Sequence, residues 1–491
     1  MAAASSEDGA SGTASPRAGA TKARRGRIFA SYEAANRFLD DRVNVERLRA
    51  HRVKQETFKL DRMRAMLSAI GDPQATLRCV HVAGSKGKGS VCEMVASCLR
   101  SCGYTVGLYT SPHLVDVRER IRVETEASDD DDRITEDAFV RVISRARDAV
   151  NAVKAKHGEA TYFEILTLAA LLHFAEQAVD VAVIEVGLGG RLDSTNIVTP
   201  DVCAITHIQM EHRAILGETL EKIAFEKAGI MKPAVPVISV PQEEGVIEVF
   251  RQRAAEVGSE LFVLGQEIDY STRFEAAHQM KPHVRVCVTT DKSNFEHLPS
   301  PLPGEHQAAN CGLALAIIDR LRRVGFECPD VPVAEGLSRT PRRGRMEQVW
   351  DEPRVIIDGC HTKESVSGLV AALGASERFD SLVVIFGCSA DKDVGPMLDE
   401  IGRGADKIIF TKASDNPRAM EPGELLSMFN ERSEKMAQCE PNVKEAINAA
   451  ARAVGRPRVG GADLIVVAGS FHLAGEAKAL FEAKKRVTAG V

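Results

Sequence analysis

Residues 79–103 constrain the fold of this chain more than any other stretch. An apolar run, Cys79 to Ala83, passes directly into Gly84-Ser85-Lys86-Gly87-Lys88-Gly89-Ser90. A helical pattern follows, with Val91, Met94, Val95, Cys98, Leu99 and Cys102 recurring at i, i+3, i+4 and Gly103 as the stop. Strand, glycine-rich turn and helix in this order turn backbone N–H groups toward phosphate oxygens. The turn departs from G-x-x-x-x-G-K-[ST]. Val82 stands where the first glycine belongs, Gly89 where the hydroxyl belongs, and Ser90 follows one place late. A glycine-rich turn with no ligand is the bland alternative. The agreement of strand, loop and helix favours a nucleoside triphosphate, with Lys88 neutralising its β- and γ-phosphates.

Beyond residue 76, short β-rich runs alternate with amphipathic segments. Candidate strands lie at 78–83, 104–109, 179–186, 202–207, 234–240, 354–358, 381–387, 406–411 and 463–469. Candidate helices lie near 87–102, 135–156, 160–177, 219–229, 243–257, 305–324, 363–374, 421–431, 442–454 and 471–486. Such alternation predicts an α/β fold of parallel sheets covered by helices. Val179 to Ile184 is almost wholly apolar, as expected of a strand buried on both faces. Residues 258–304 differ: polar β-like runs and Pro299, Pro301 and Pro303 predict an antiparallel appendage. A break at Thr340 to Arg345 starts a second strand–helix series, which puts a domain boundary near 341–346.

The net charge of −6 gives no nucleic-acid footprint, and no apolar run approaches the ~20 residues that span a bilayer. The expectation is a cytoplasmic enzyme with no membrane or nucleic-acid partner. The eleven cysteines lack C-x-x-C spacing and read as reduced core thiols. Cys360 as a nucleophile is the sharper, less favoured alternative. Residues 1–27 are Ala/Ser/Gly-rich and read as a disordered tail; Glu7 and Asp8 argue against a transit peptide. Asp129 to Asp132 reads as a solvated loop tip.

Polar residues cluster just past several strand ends, where open α/β sheets bind ligands. Thr110-Ser111-Pro112-His113-Leu114 follows the strand at 104–109, and Glu185 closes the strand at 179–186. His207 and Glu211-His212 follow the strand at 202–207, and Lys227 sits in Phe225-Glu226-Lys227-Ala228-Gly229. A hydroxyl, a carboxylate and an imidazole beside a triphosphate suit Mg²⁺. Singly they read as structural residues: Glu185 as an ion-pair partner, and Lys227 as an ordinary helix-end lysine.

Together, HVAGSKGKGS (81–90), YTSPHL (109–114), ERI (119–121), YFE (162–164), EVGLGGRLDSTN (185–196), the EH…LG.TL..IA.EKAGI.K segment (211–232), GEHQAAN (304–310), GR (344–345), DGCH (358–361), DKD (391–393) and VVAGSFHLAGE (466–476) run in the order of one family. The chain resembles the folylpolyglutamate synthase/dihydrofolate synthase family of the Mur ligase superfamily. The resemblance implies an N-terminal P-loop ATPase-type domain (28–341) and a smaller C-terminal Rossmann-like α/β domain (342–491), with the active site between them. It implies ATP-dependent joining of L-glutamate to a folate or dihydropteroate carboxylate through an acyl phosphate. ATP is then a substrate, and the working form a monomer with two Mg²⁺.

By the same resemblance, residues 84–90 cradle the phosphates, with Lys88 on the β- and γ-phosphates. Ser111 and Glu185 hold one Mg²⁺ and His212 a second. Lys227 matches the lysine this superfamily carbamylates. Asn310 and Arg345 match ATP contacts on the adenine and phosphate sides, with Arg345 reaching the γ-phosphate from the hinge. Asp358 matches a ribose contact, and His361 positions phosphate or incoming glutamate; a structural histidine at a strand end is the bland reading of the latter. Two departures stand out. Ser85-Lys86 replaces the usual Thr-Asn, and Cys360-His361-Thr362-Lys363 replaces the usual Ala-His-Asn-Pro. Another Mur-type amino-acid ligase and a non-catalytic P-loop nucleotide switch are the competing readings. The segment Phe58 to Met63 reads equally as a pterin-pocket wall or as helix packing.

Overall fold

A computed structural model describes residues 27–46, 48, 59–127, 131–276, 282–454 and 463–489. The tail expected at 1–27 therefore lies outside the described residues, Arg27 excepted.

Three sheets organise the described residues. The first contains β1 (Cys79–Ala83), β2 (Val106–Tyr109), β3 (Ile121–Glu124), β4 (Val181–Glu185), β5 (Val202–Ile205), β6 (Val237–Ser239) and β7 (Leu261–Val263). Its order is β3-β2-β4-β1-β5-β6-β7, parallel throughout except for β3 against β2. β1, β4 and β5 are buried along their whole length, which is why they are near-continuous apolar runs. The helix Lys88–Ser101 is buried from Gly89 to Leu99 because it is sandwiched between this sheet and the helices Glu305–Arg323 and Asp330–Ser338. Helices Glu136–His157 and Tyr162–Glu176 cover the other face.

The second sheet is a small antiparallel one, β8 (Asp269–Glu275), β9 (His283–Thr289) and β10 (Asn294–Pro299), in the order β10-β9-β8. The third contains β11 (Glu347–Trp350), β12 (Arg354–Ile357), β13 (Leu382–Phe386), β14 (Lys407–Phe410), β15 (Ala437–Cys439) and β16 (Leu464–Ala468), ordered β11-β12-β16-β13-β14-β15. Only β11 pairs antiparallel in it. Core clusters pack on both of its faces. Residues 339–346 link the helix Asp330–Ser338 to β11.

Several expectations need correction. The antiparallel appendage starts at Asp269, not at 258: Leu261–Val263 pairs in parallel with β6 and extends the first sheet. Strands β3, β11 and β15 were not foreseen; each is a three- or four-residue edge strand, too short to carry a period. Of the Asp129–Asp132 run, Asp132 is not solvated. It is buried and paired with Arg343, 211 residues away. All eleven cysteines are free, but Cys102 and Cys287 are only half-buried and Cys439 is exposed. The Cys360 thiol is buried, and burial pushes it well above its ordinary range, which removes the nucleophile reading. Phe58 lies outside the described residues. Beyond it, Met63 joins the core and Arg62 pairs with Glu164 at 2.8 Å, so the helix Leu60–Ala69 packs and does not wall the cleft.

Candidate active site

Register brings the ends of four strands together. Val82 of β1 lies beside Glu185 of β4, Ala83 beside Ile205 of β5, and Tyr109 of β2 beside Ile184. Their loops open into a cleft of about 2500 Å³, whose opposite wall is built from the strand ends of the third sheet. Ligands of open α/β sheets gather at such carboxyl ends.

The loop 84–90 shows why its glycines are needed. Gly84 and Gly87 sit at φ +138° and +94°. A Cβ on Gly84 would lie 1.8 Å from Thr206 Oγ1, and one on Gly87 would lie 2.3 Å from Asn310 Oδ1. A Cβ on Gly89 would come within 2.9 Å of Arg345 Nη2 and 3.4 Å of Glu185 Oε2. Those glycines thus let Asn310, Arg345 and Glu185 close on the loop. Backbone N–H groups of Ser85 and Lys86 donate to His207 O at 3.0 and 3.3 Å. No side chain caps the helix Lys88–Ser101, and its first turn lines the cleft, the arrangement that receives anions.

Two ammonium groups converge on one carbonyl. Lys88 Nζ donates to Gly84 O at 3.1 Å and Lys227 Nζ at 2.7 Å. Lys227 is buried and also donates to Glu211 Oε1 at 2.8 Å. Burial lowers the Lys227 ammonium from its usual range against the pull of Glu211. Glu211 is held well below the ordinary carboxylate range by Lys227 and Lys88, which outweigh its burial. Glu211 is a site residue that motif reading passed over in favour of its neighbour His212; the signal was there, in a carboxylate sixteen residues before a buried lysine. His212 opens toward the cleft, and its φ of +45° turns the chain into the helix Arg213–Leu216.

Glu185 Oε2 accepts the Ser111 N–H at 3.0 Å. Burial raises this carboxyl, with Lys88 opposing. Ser90 Oγ is buried with no hydrogen-bond partner. Among the described residues no three His, Cys, Asp or Glu side chains form a metal cage. Mg²⁺ needs none: it takes one or two carboxylates, phosphate oxygens and its own waters. The buried Glu185 and the orphaned Ser90 hydroxyl fit that habit.

Across the cleft, Arg345 Nη1 donates to Arg343 O at 3.0 Å, while its guanidinium lies 6.0 Å from the Phe471 ring centre. Asp358 accepts the N–H groups of Met346 and Cys360 at 2.9 and 2.8 Å. His361 Nδ1–H donates to Gly359 O at 3.0 Å, which leaves Nε2 to accept from Lys86 Nζ at 2.8 Å. The first and third sheets therefore touch through Lys86, the residue that departs from the usual loop. The second departure has a local role: Thr362 is the N-cap of the helix Lys363–Ser376, in a reciprocal capping box with Ser365. Asn310 is buried against Gly87, with its amide donating to Gln307 Oε1 at 2.9 Å. Of the sequence-derived site residues, Ser85 to Ser90, Ser111, Glu185, His212, Asn310, Arg345, Asp358 and His361 line the cleft; Gly84 and Lys227 lie directly behind it.

Residues 82–318 match the Mur ligase middle domain, and residues 344–471 match the Mur ligase glutamate ligase domain. A probable bifunctional folylpolyglutamate synthase/dihydropteroate synthase of Haloferax volcanii is 32% identical, over 91% of this chain and 50% of its own length. The present chain thus spans half of that protein. The dihydrofolate synthase/folylpolyglutamate synthase of Bacillus subtilis is 31% identical, over 73% of this chain and 82% of its own. The crystal structure of Mycobacterium tuberculosis folylpolyglutamate synthase complexed with ADP and AMPPCP superposes with a TM-score of 0.79 at 29% identity, covering 93% of this chain and 99% of that one.

Proposed function

The chain belongs to the folylpolyglutamate synthase/dihydrofolate synthase family of Mur ligases, and from that premise we propose that it joins L-glutamate to the carboxylate of a folate or dihydropteroate at the expense of ATP. One observation carries the reading. A phosphate loop on one sheet and a histidine on another meet across a single cleft, with Lys86 Nζ and His361 Nε2 2.8 Å apart.

The chemistry follows from what the groups can do. A carboxylate is a poor electrophile, so an oxygen of the acceptor carboxylate attacks the γ-phosphorus while the bond to the β-phosphate oxygen breaks. ADP leaves and an acyl phosphate remains. The glutamate amine then attacks the acyl carbon, loses a proton, and inorganic phosphate departs with the C–O bond electrons. Phosphoryl transfer needs charge neutralisation and alignment more than covalent help. Lys88 and the amides from Gly87 to Ser90 hold the phosphates, those of Ser85 and Lys86 being taken by His207 O. Arg345 meets the γ-phosphate from the linker side, and Asn310 and Asp358 complete the nucleotide site. His361, its ring fixed by Gly359 O on Nδ1 and by Lys86 Nζ on Nε2, positions phosphate or incoming glutamate from the second wall. Glu185 and Ser111 would hold one Mg²⁺ and His212 a second, and these ions would supply charge neutralisation on the phosphates when bound. Lys227, once carbamylated, would add anionic oxygens beside these ions. Residues 28–341 act as the nucleotide unit and residues 342–491 as the glutamate unit. One chain supplies both walls, which supports a monomer, and a cytoplasmic setting agrees with the absence of a bilayer-crossing helix among the described residues.

The test is product mass spectrometry with ATP, L-glutamate and either dihydropteroate or tetrahydrofolate, alongside ADP release. A glutamylated product with ADP release dependent on both co-substrates is expected. ATP turnover indifferent to both would instead identify a nucleotide switch.

A further inference from the structure

A buried ion cluster behind the phosphate loop has no part in the mechanism above. Arg122, fully buried on β3, pairs with Glu93 and lies 3.3 Å from Glu124 and 3.7 Å from Asp132. Glu93 belongs to the helix that begins at Lys88. Arg343, in the linker between the sheets, donates from Nη2 to both oxygens of Asp132, at 3.1 and 3.0 Å, and its Nε stands 4.0 Å from Glu93. Burial, with Glu93 and Asp132 adding to it against Arg122, raises Glu124 to about 8.

Such a cluster is a poor way to gain stability. Desolvating several charges offsets most of their attraction, and apolar side chains of equal volume do as well or better. What it fixes is position. The linker backbone is held on both sides of Arg343: Arg345 N–H donates to Arg342 O at 2.6 Å, Gly344 N–H to Glu347 Oε2 at 2.7 Å, and Gly359 N–H to Gly344 O at 2.9 Å. The Arg343 carbonyl, in turn, accepts Arg345 Nη1 at 3.0 Å. Fixing Arg343 thus fixes the acceptor that orients the Arg345 guanidinium against Gly89.

We propose that Arg343, anchored by Asp132, is a positioning residue that sets Arg345 against the phosphate loop. This rests on the reading of Arg345 as a γ-phosphate ligand. The anchor couples the linker to the same helix whose first turn receives the phosphates, through Glu93 and Arg122.

A double-mutant cycle on the full chain tests it, with steady-state ADP production in ATP, L-glutamate and the preferred pterin substrate, and thermal melting as the check on folding. Arg345→Ala, Arg343→Met and Asp132→Asn should each lower kcat/KM for ATP by tenfold or more, since a misplacement near 1 Å costs up to about a hundredfold. In the Arg345→Ala background, Arg343→Met should add less than about twofold, because its route to the phosphate is already gone. A merely structural Arg343 would lower the melting midpoint and multiply with Arg345→Ala. The inference is overturned if the two effects multiply, or if Arg345→Ala cripples the enzyme while Arg343→Met and Asp132→Asn stay within twofold of the parent. If Arg345→Ala itself is harmless, the γ-phosphate reading fails first and the inference with it. Should Arg343→Met fail to melt cooperatively, Arg343→Lys, alone and with Arg345→Ala, makes the same comparison.

Discussion

At the scale of single residues, Ser90 Oγ stands out, buried at the mouth of the phosphate loop with no hydrogen-bond partner. A buried hydroxyl without a partner carries a desolvation penalty that a ligand can remove. Ser90→Ala deletes a group with no bond to lose, so the melting midpoint should hold or rise slightly. KM for ATP should rise tenfold or more if the hydroxyl receives phosphate or its Mg²⁺. A steady-state ATP titration at fixed free Mg²⁺ decides it, and an unchanged KM excludes the role. Lys227 makes an independent case. As an ammonium it balances Glu211; as a carbamate it needs the cations of Lys86, Lys88 and Mg²⁺ around Glu211 to offset a second anion. Lys227→Ala should abolish turnover, and a short-chain carboxylate added to the assay should restore part of it, which no lost ammonium would allow. Ser90 is marked by its glycine-rich loop, whereas Lys227 reads locally as an ordinary helix-end lysine and only the family resemblance singles it out. Residue-level reading misplaces Asp132, since four consecutive aspartates look solvated until Arg343, 211 residues away, closes on one of them.

Among the elements, the unit of β1, loop and helix was legible in full. Its strand is a continuous apolar run, its helix keeps a 3.6 period, and the glycines between them mark the turn. The edge strands β3, β11 and β15 were not legible, because a strand of three or four residues with one half-open side imposes no pattern on its sequence. Leu261–Val263 went to the wrong sheet for a related reason. It is three residues long, follows Gly258-Ser259-Glu260 and precedes the polar antiparallel strands, and only pairing with β6 shows where it belongs. The loop also yields an element-scale prediction. Alanine at Gly84 would need φ +138° and would set a Cβ 1.8 Å from Thr206 Oγ1. Strain and overlap together should destabilise by about 2–4 kcal/mol, and turnover should vanish because the Gly84 carbonyl orients both Lys88 and Lys227. Urea unfolding and nucleotide-binding calorimetry measure the two effects. Retained nucleotide affinity would mean that the loop adapts without the phosphate site.

At the scale of the whole molecule, two sheets of parallel strands present their carboxyl ends to one cleft, and Lys86 makes a side-chain hydrogen bond across it. The order of motifs along the chain foretold the two walls. It did not foretell the contact, which joins residues 275 apart and depends on a lysine outside the usual pattern. That lysine makes the two-walled site sensitive to alkali. Burial, helped by Lys392 and Lys88 and opposed by Glu211 and Glu364, lowers Lys86 to about 8. Below that pH the ammonium donates to His361 Nε2 and faces the phosphates with a full charge; above it, both effects weaken. In the free enzyme kcat/KM for ATP should therefore fall as pH rises through about 8, approaching tenfold per unit. Bound phosphates favour the charged form, so the same limb in kcat should lie at higher pH. Lys86→Arg keeps the charge far beyond this range and should remove the limb from kcat/KM, whereas Lys86→Met should give a low value that is flat across it. A limb near 8 that survives in Lys86→Arg would place the titrating group elsewhere and leave the contact between the walls without a part in closing the site.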